Sequence, residues 1–296
     1  MSTRSVTNLV QFRADLLKYA EIAEVGHFDD RLVARVVDTY AEQFATGTIT
    51  VRTTTHDVTD RNVNFRYMAP DMPHNPVEIA RSSGLLPRGA EEVHSLLDEV
   101  TEKIPVWWGL DASVGRGVEK VWAFLEEPAS FDDIAALRNL PRSVRAHRER
   151  FGKAGLDQFL IMAFDFRHNT MNLYSEMLAP ARFSRDEVSG MVRDMNSPLP
   201  DDEELQRDTE AFNVYYTFDW RAPTARRLCF AIPAAEGTFP THWHPLAARF
   251  AAEAPFQAPF RGLLFNPTYG PAGGHLKLEA DYTGDAATRV FGYWSK

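Results

Sequence analysis

The sequence predicts an α/β fold in which ten antiparallel strands close into a barrel with a polar lumen, surrounded by a ring of α-helices. Three observations support this prediction. The spacing of the hydrophobic residues switches between helical and strand periods in the order helix–helix–strand–strand. This unit of roughly 60 residues occurs about five times. Each predicted strand has one apolar and one polar face. Several polar faces also carry a cationic side chain, although the formal net charge of the chain is -9.

The helices are predicted from apolar residues that recur at spacings of three and four. Leu9, Phe12 and Leu16 show this spacing in the first helix, and Leu246 and Phe250 show it late in the chain. Each such helix must bury its apolar face against another layer. The predicted helices lie at 9–23, 33–44, 76–83, 90–100, 130–137, 141–152, 184–193, 201–210, 242–253 and 285–292.

The strands are predicted from alternation with a period of two. Val63, Phe65 and Tyr67, for example, alternate with Asn64 and Arg66. Short connections favour antiparallel hairpins, and closure of the sheet removes its exposed edges. We expect the apolar strand faces to pack on the helices, which leaves the polar faces inside. The predicted strands lie at 49–51, 63–67, 104–111, 117–125, 158–167, 171–177, 211–219, 226–232, 260–266 and 275–282.

Composition limits the class of protein. With 296 residues, 44% of them hydrophobic, the chain can bury a large core, and we expect one domain over 1–296. The acidic balance argues against nucleic acid or an anionic membrane as a partner. The single cysteine, Cys229, cannot form an internal disulfide. No apolar run approaches the roughly 18 residues of a membrane span, and no signal-peptide core is present. We expect a soluble, cytoplasmic monomer.

Cationic side chains on the polar strand faces are the main functional signal. A single Lys or Arg there is usually just solvated. Two like charges about 5 Å apart, however, repel by roughly 3 kcal/mol at an effective dielectric of 20. Inward carboxylates could neutralise a cluster, and so could a diphosphate held by arginine forks and lysine ammonium groups. The cations are Arg52, Arg66, Lys120, Arg167, Arg227 and Lys277, and the candidate inward carboxylates are Asp165, Glu176, Asp219, Glu279 and Asp281.

Aromatic side chains share the parity of the polar faces. Trp122 lies two residues after Lys120, and Tyr174 lies two residues after Asn172. Core packing is the usual explanation for any one ring taken separately. Cations next to aromatic rings, however, suit chemistry that releases a diphosphate and creates a carbocation, because ring faces attract cations.

Four stretches resemble the ABBA-type aromatic prenyltransferases, whose fold is the PT barrel of repeated ααββ units. They are IPVWWGLDASVGRGVEKVWAFLEEP (104–128), FDFRHNTMNLYSE (164–176), FNVYYTFDWRAPTARRLCFAI (212–232) and HLKLEADYTG (275–284). The chain looks closest to the magnesium-independent subgroup that includes the aminocoumarin-pathway 4-hydroxyphenylpyruvate prenyltransferases. The resemblance implies an enzyme of secondary metabolism, such as antibiotic biosynthesis. It would move a dimethylallyl or geranyl group from an allylic diphosphate to an electron-rich aromatic molecule by Friedel–Crafts substitution.

The resemblance also implies roles for individual residues. The residues expected to bind the diphosphate are Arg52, Arg66, Arg116, Lys120, Arg167, Asn172, Tyr215, Arg227 and Lys277. The residues expected in the prenyl and aromatic pocket are Trp122, Tyr174, Asn64, Trp108 and Phe212. Inward carboxylates suit general-base work, so Glu279, Asp281 and Glu176 are the candidates to remove the ring proton. Glu279 ranks first because it shares a strand face with Lys277.

No metal or other cofactor is expected. Magnesium-dependent members of the family carry an Asp where this chain has Asn64, and a neutral amide is a poor ligand for a hard cation. Arg66, two residues on, brings a positive charge instead. The sequence also lacks the DDxxD, Walker and G-x-S-x-G patterns. The alternative function is a non-catalytic barrel that carries an anionic amphiphile.

Overall fold

The structure is a computed structural model that describes residues 6–72, 74–179, 181–234 and 237–295. The predicted domain limits, residues 1 and 296, lie outside these ranges. Within them, ten strands form one closed antiparallel barrel, which confirms the predicted fold. The strands are β1 Thr48–Thr54, β2 Asn64–Ala69, β3 Val106–Ser113, β4 Gly117–Ser130, β5 Gln158–Asp165, β6 Thr170–Ser175, β7 Asn213–Asp219, β8 Arg227–Ala234, β9 Gly262–Tyr269 and β10 His275–Asp281.

Each strand pairs with the strand before it, and the first and last strands close the ring. The register at this seam runs from Thr50 opposite Asp281 to Thr54 opposite Lys277. None of the described strands is therefore left as an edge, where unpaired backbone groups would invite another chain.

Helices surround the barrel. Those in the described residues are α1 Leu9–Ala23, α2 Asp30–Thr39, α3 Ala41–Thr46, α4 Pro76–Ser82, α5 Glu91–Lys103, α6 Phe131–Ala135, α7 Arg142–Ala146, α8 Arg148–Ala154, α9 Arg185–Asp194, α10 Asp202–Asp208, α11 Pro245–Glu253 and α12 Ala286–Arg289. The main core lies between the helices and the outer strand faces. Phe12 of α1, for example, packs against Phe44 and Phe65 with ring centroids 5.6 and 6.0 Å apart. No helix of the described residues is long and apolar enough to cross a membrane.

Three predicted helices differ in the structure. The helix expected at 33–44 is divided at Tyr40 into α2 and α3. The helix expected at 141–152 is divided at His147, whose buried ring lies 4.9 Å from Tyr216 and 5.3 Å from Phe218. Burial lowers the pKa of His147 to about 4, so the ring is neutral in the core. The helix expected at 285–292 ends at Arg289, and a 3₁₀ helix follows at Phe291–Ser295. This last segment packs against the rings inside the barrel.

The β3–β4 pair contains a bulge that alters the parity of the lumen. Asp111 pairs with Lys120, but the next residue of β3, Ala112, pairs with Val118. Glu119 is therefore left without a partner in this ladder, and it lines the lumen next to Lys120. Strict alternation would have directed Glu119 to the helix layer.

Candidate active site

The lumen is divided into two compartments of opposite character. The polar compartment, about 410 Å³, is lined chiefly by charged and amide side chains: Arg52, Asn62, Asn64, Asp111, Arg116, Glu119, Lys120, Asp165, Arg167, His168, Asn172, Arg227, His275 and Lys277. The apolar compartment, about 50 Å³, is lined mainly by rings and aliphatic groups: Met68, Trp122, Phe124, Leu160, Ile161, Tyr174, Met177, Phe212, Tyr215 and Phe291. Arg52 lines both, so the compartments adjoin.

Asp111 compensates the charge of two arginines. Its Oδ2 lies 3.3 Å from the guanidinium nitrogens of both Arg52 and Arg66, and Arg66 also lies 3.4 Å from Glu279. Asp111 is 1% exposed and was not among the carboxylates predicted to face inward. Its position on β3 opposite Lys120 is the feature that indicates an inward side chain.

Lys120 has a carboxylate partner of its own. Its Nζ lies 3.3 Å from Asp165 Oδ2, and His168 Nδ1 lies 3.1 Å from both oxygens of Asp165. Burial alone would raise the pKa of Asp165, but Lys120 and the contacts from His168 hold it well below its ordinary range. Asp165 is therefore an anion in the folded protein.

Arg227 and Lys277 are not compensated in this way. No carboxylate of the described residues lies within 4.0 Å of either charged group. Lys277 Nζ instead donates to the hydroxyl of Tyr215 at 2.8 Å and contacts Cys229 Sγ at 3.6 Å. Burial lowers the pKa of Lys277 to about 7, and the nearby arginines act in the same direction. The polar compartment thus contains positive charge without a protein counter-charge.

Asn64 lies in the polar compartment, so its predicted place in the aromatic pocket is wrong. Its Nδ2 donates to Asp111 Oδ1 at 2.9 Å and to Glu119 Oε2 at 3.0 Å. Arg116 and Arg167 each lie 3.7 Å from Glu119 Oε1. Sequence reasoning missed Glu119 because the bulge turns it inward. Burial raises its pKa.

Arg167 is not on a strand as predicted, because β5 ends at Asp165 and the following four residues form the turn to β6. Its side chain lines the polar compartment and is 39% exposed. Arg116 lies in the β3–β4 connection and is 38% exposed. Both arginines therefore stand at the rim, where solvent screens their charge.

The aromatic rings of the apolar compartment lie beside the cations, and Arg52 and Arg66 line that compartment with them. Tyr174 stacks on Tyr215 with centroids 4.1 Å apart, and Trp122 lies 5.0 Å from Tyr174. The guanidinium of Arg66 lies 4.0 Å over the ring of Trp122. Burial raises the pKa of Tyr174 and Tyr215 above that of a free phenol, so both keep their protons and can donate hydrogen bonds. Asn172 Nδ2 donates to the hydroxyl of Tyr174 at 3.3 Å.

Trp108 faces the helices, so its predicted place in the lumen is wrong. It pairs with Ala123 on the outer face and belongs to the main core. Trp107 takes the inward position and stacks on Phe124 at 3.8 Å. Two adjacent tryptophans give no contrast in hydrophobicity, so the parity of this strand could not be assigned from them. Phe212 lines the apolar compartment.

Of the three candidate bases, the structure brings only Glu279 to the lumen compartments. Glu279 lines the apolar compartment beside Arg66. Asp281 accepts the backbone N–H groups of Gly284 and Ala286, both at 2.9 Å, and burial raises its pKa to about 6. Glu176 follows the end of β6 and lines neither compartment. Asp281 and Glu176, the other two predicted bases, thus line neither compartment.

The lumen offers a poor set of metal ligands. Among the described residues, no group of three or more His, Cys, Asp or Glu side chains could hold a metal ion. The amide of Asn64 lies between Asp111 and Glu119 and donates to both. A divalent cation at that point would require oxygen ligands in place of this donor.

The structure is thus a closed antiparallel barrel with helices outside and a lumen lined by cations and aromatic rings. The family model for the aromatic prenyltransferase Orf2 matches residues 7–294, and the chain belongs to this family. It is an aromatic prenyltransferase. Among curated relatives, the 5,10-dihydrophenazine-1-carboxylate 9-dimethylallyltransferase of Streptomyces anulatus is 27% identical over 83% of this chain and 84% of its own. The 4-hydroxyphenylpyruvate 3-dimethylallyltransferase of Streptomyces niveus is 26% identical over 96% of this chain and 88% of its own.

Solved structures share the fold at much lower identity. The apo form of the prenyltransferase PriB superposes with a TM-score of 0.60 at 11% identity, over 92% of this chain and 96% of that one. The complex of PriB with L-tryptophan and dimethylallyl thiolodiphosphate gives a TM-score of 0.57 at 12% identity, over the same shares. These structures support the PT-barrel architecture.

Proposed function

We propose that the protein transfers a dimethylallyl group from dimethylallyl diphosphate to an electron-rich aromatic small molecule. The observation that carries this proposal is the uncompensated pair Arg227 and Lys277, which lies beside the ring-lined apolar compartment. Buried cations without a counter-ion are costly unless an anion binds. The two relatives described above are named as dimethylallyltransferases, which supports the same donor.

The proposed diphosphate site is the polar compartment. Arg52, Lys120, Arg227 and Lys277 bind the phosphate oxygens from inside, and Asn172 and Tyr215 donate neutral hydrogen bonds. Arg116 and Arg167 approach from the rim, with weaker effect because of their exposure. Arg66 lies over the ring of Trp122. Asp111 and Glu279 compensate its positive charge, so it destabilises a nearby carbocation less than an unpaired arginine would.

In the proposed reaction, the C1–O bond of the donor breaks and the diphosphate leaves with the electron pair. The fixed cations stabilise the negative charge that grows on the leaving group. The faces of Trp122, Tyr174 and Tyr215 stabilise the allylic cation, and the closed barrel limits the access of water. The acceptor ring then attacks C1. Glu279 or the departing diphosphate takes the ring proton, which restores aromaticity.

The acceptor ring must reach C1 where the two compartments adjoin, near the stacked pair Tyr174 and Tyr215. The names of the two relatives support trials of a dihydrophenazine carboxylate and of 4-hydroxyphenylpyruvate as acceptors. We further propose that the enzyme needs no metal, is one domain over residues 1–296, and acts as a cytoplasmic monomer.

Arg227→Ala tests the donor site. Mixtures of dimethylallyl diphosphate and these acceptors, with and without EDTA, would be analysed by mass spectrometry. We expect product with the wild type in EDTA, and a fall of about 10²- to 10³-fold in kcat/KM for the variant, as for the loss of one preorganised group. The matched control is Arg226→Ala, which removes a neighbouring arginine that is 57% exposed and paired with Asp219.

Three results would contradict the proposal. Donor bound and released unchanged with every acceptor would indicate a carrier. Equal activity of the Arg227 and Arg226 variants would show that the polar compartment does not bind the diphosphate. A strict magnesium requirement would overturn metal independence alone.

A further inference from the structure

The end of the described chain forms the bottom of the lumen. We call residues 286–295 the floor segment. It begins where Asp281 accepts the backbone N–H groups of Gly284 and Ala286. It ends where Trp294 Nε1 donates to the backbone oxygen of Leu125 at 2.8 Å. Hydrogen bonds thus attach both ends of the floor segment to barrel strands, through Asp281 of β10 and Leu125 of β4.

Ala286 and Phe291 are the floor residues that line the apolar compartment, and Phe291 contributes the large side chain. Its ring lies 4.7 Å from Phe212, edge to face, and both rings line the compartment. Behind it, the ring of Trp294 lies 5.9 Å from Trp107 and 6.3 Å from Phe124. The floor is therefore a packed layer of rings.

The apolar compartment above Phe291 is small. Its volume is about 50 Å³. A cavity needs about 10–15 Å³ to hold a single water molecule, so this space admits only a small group. A dimethylallyl group has five carbons, whereas a geranyl group has ten.

The direction of the prenyl chain follows from the charges. Lys277 and Arg227 line the polar compartment and hold the diphosphate in the proposed function. The hydrocarbon chain must leave that charged region, because burying it among ionised groups gains nothing from the hydrophobic effect. Tyr215, Trp122 and Phe291 all line the apolar compartment, which is where the chain would extend.

We propose that the floor segment, through Phe291, limits the donor to a five-carbon chain and is the determinant of prenyl-chain length. This inference rests on the proposed function, since it assumes that the polar compartment binds the diphosphate. The five further carbons of a geranyl chain would meet the Phe291 ring. Removal of that ring joins its volume to the compartment and makes room for them.

Binding of non-reacting donor analogues tests the inference without an acceptor. Dimethylallyl and geranyl thiolodiphosphate would be titrated calorimetrically into the wild type and into Phe291→Ala. We expect the wild type to prefer the shorter analogue by about ten-fold or more, the discrimination typical of a hydrophobic pocket of fixed size. In Phe291→Ala we expect that preference to disappear or reverse. The matched control, Phe260→Ala, removes a ring that is 58% exposed outside the lumen and should keep the wild-type preference.

The other outcomes contradict either the role of the floor segment or the proposed function. Equal affinity of the wild type for both analogues, or an unchanged preference in a folded Phe291→Ala, would contradict the role of the floor and leave the proposed function intact. No binding of either analogue by the wild type would contradict the proposed function itself. If Phe291→Ala does not fold, Phe291→Leu decides: it retains an apolar side chain but shortens it, and we expect a smaller shift in the same direction.

Discussion

Single cations inside this lumen fall into two kinds. Arg52 and Lys120 each have a carboxylate within 3.3 Å, whereas Arg227 and Lys277 have none within 4.0 Å among the described residues. Removing a cation of the first kind takes one partner from a buried carboxylate, Asp111 or Asp165, which destabilises the fold as well as the site. Variants of the second kind separate binding from folding, and they are the better probes of function.

The affinity for the donor should depend on pH through Lys277. Its pKa of about 7 in the free protein reflects burial and the neighbouring Arg227, Arg52 and Lys120, with Cys229 opposing. A bound diphosphate favours the charged form. We therefore expect dimethylallyl thiolodiphosphate to bind more weakly as pH rises above about 7, by up to about ten-fold per pH unit. Calorimetry from pH 6 to 9 in two buffers would also detect the proton taken up.

Lys277→Arg provides the control for this pH dependence. Arginine stays charged throughout the range, whereas the titration of the ligand itself is the same in both proteins. The difference between the two pH profiles therefore reports Lys277 alone. Identical slopes for the wild type and the arginine variant would show that Lys277 is already protonated across the range.

At the scale of elements, three neighbouring strands bring Asn64, Asp111 and Glu119 together. The Asn64 amide donates to both carboxylates across β2, β3 and β4. Asn64→Asp would place three carboxylates at one point, where like charges repel and a hard cation is favoured. We expect the variant to lose activity in EDTA by about ten-fold or more and to regain it with magnesium. Steady-state kinetics with and without EDTA measures this change.

Asn62→Asp is the matched control, because Asn62 lines the same compartment at a different place. It should add a negative charge without creating dependence on magnesium. An Asn64→Asp enzyme that stays fully active in EDTA would contradict the expectation. It would also show that the amide does no more than fill space between the two carboxylates.

The barrel could be predicted from the sequence because regular ladders preserve parity. Lys120, Trp122 and Tyr174 face the lumen, as the alternation of polar and apolar residues indicated. Parity was not sufficient where the ladder is irregular. The bulge turns Glu119 inward, and the end of β5 leaves Arg167 in a turn.

Other features of the site depend on tertiary partners rather than on the local pattern. Asp281 is inward by parity, yet its carboxylate is occupied by backbone groups of the floor segment. The short tail after β10 could be recognised as helical, but its position under the barrel depends on contacts with distant rings such as Trp107 and Phe124. No periodicity encodes contacts of this kind.

At the scale of the whole molecule, one buried acid joins the helix layer to the barrel. Asp208, the last residue of α10, has no exposed surface, and the hydroxyl of Tyr269 on β9 donates to it at 2.7 Å. Burial raises the pKa of Asp208 to about 8, although this hydrogen bond opposes the shift. The native protein therefore keeps a proton that the unfolded chain releases above about pH 4.

The stability of the fold should consequently fall as pH rises from about 4 to about 8, where the native carboxyl also ionises. We expect Asp208→Asn to remove this contribution and to be more stable than the wild type at pH 8, by a few kcal/mol at most. Chemical denaturation at pH 5 to 9 measures the difference. Asp202→Asn, which changes an exposed acid of the same helix, should follow the wild type. Parallel pH curves for the wild type and the Asp208 variant would contradict the assignment.

The seam between β1 and β10 joins two distant parts of the chain, and the site is complete only when it closes. Arg52 comes from one side of the seam, and Lys277 and Glu279 come from the other. During synthesis, β1 has no partner on this side until β10 has left the ribosome. Pairing between such distant segments makes folding slow. A bound donor would contact residues on both sides of the seam and so stabilise the closed barrel. It should therefore slow the opening of the seam and protect the newly made protein from aggregation.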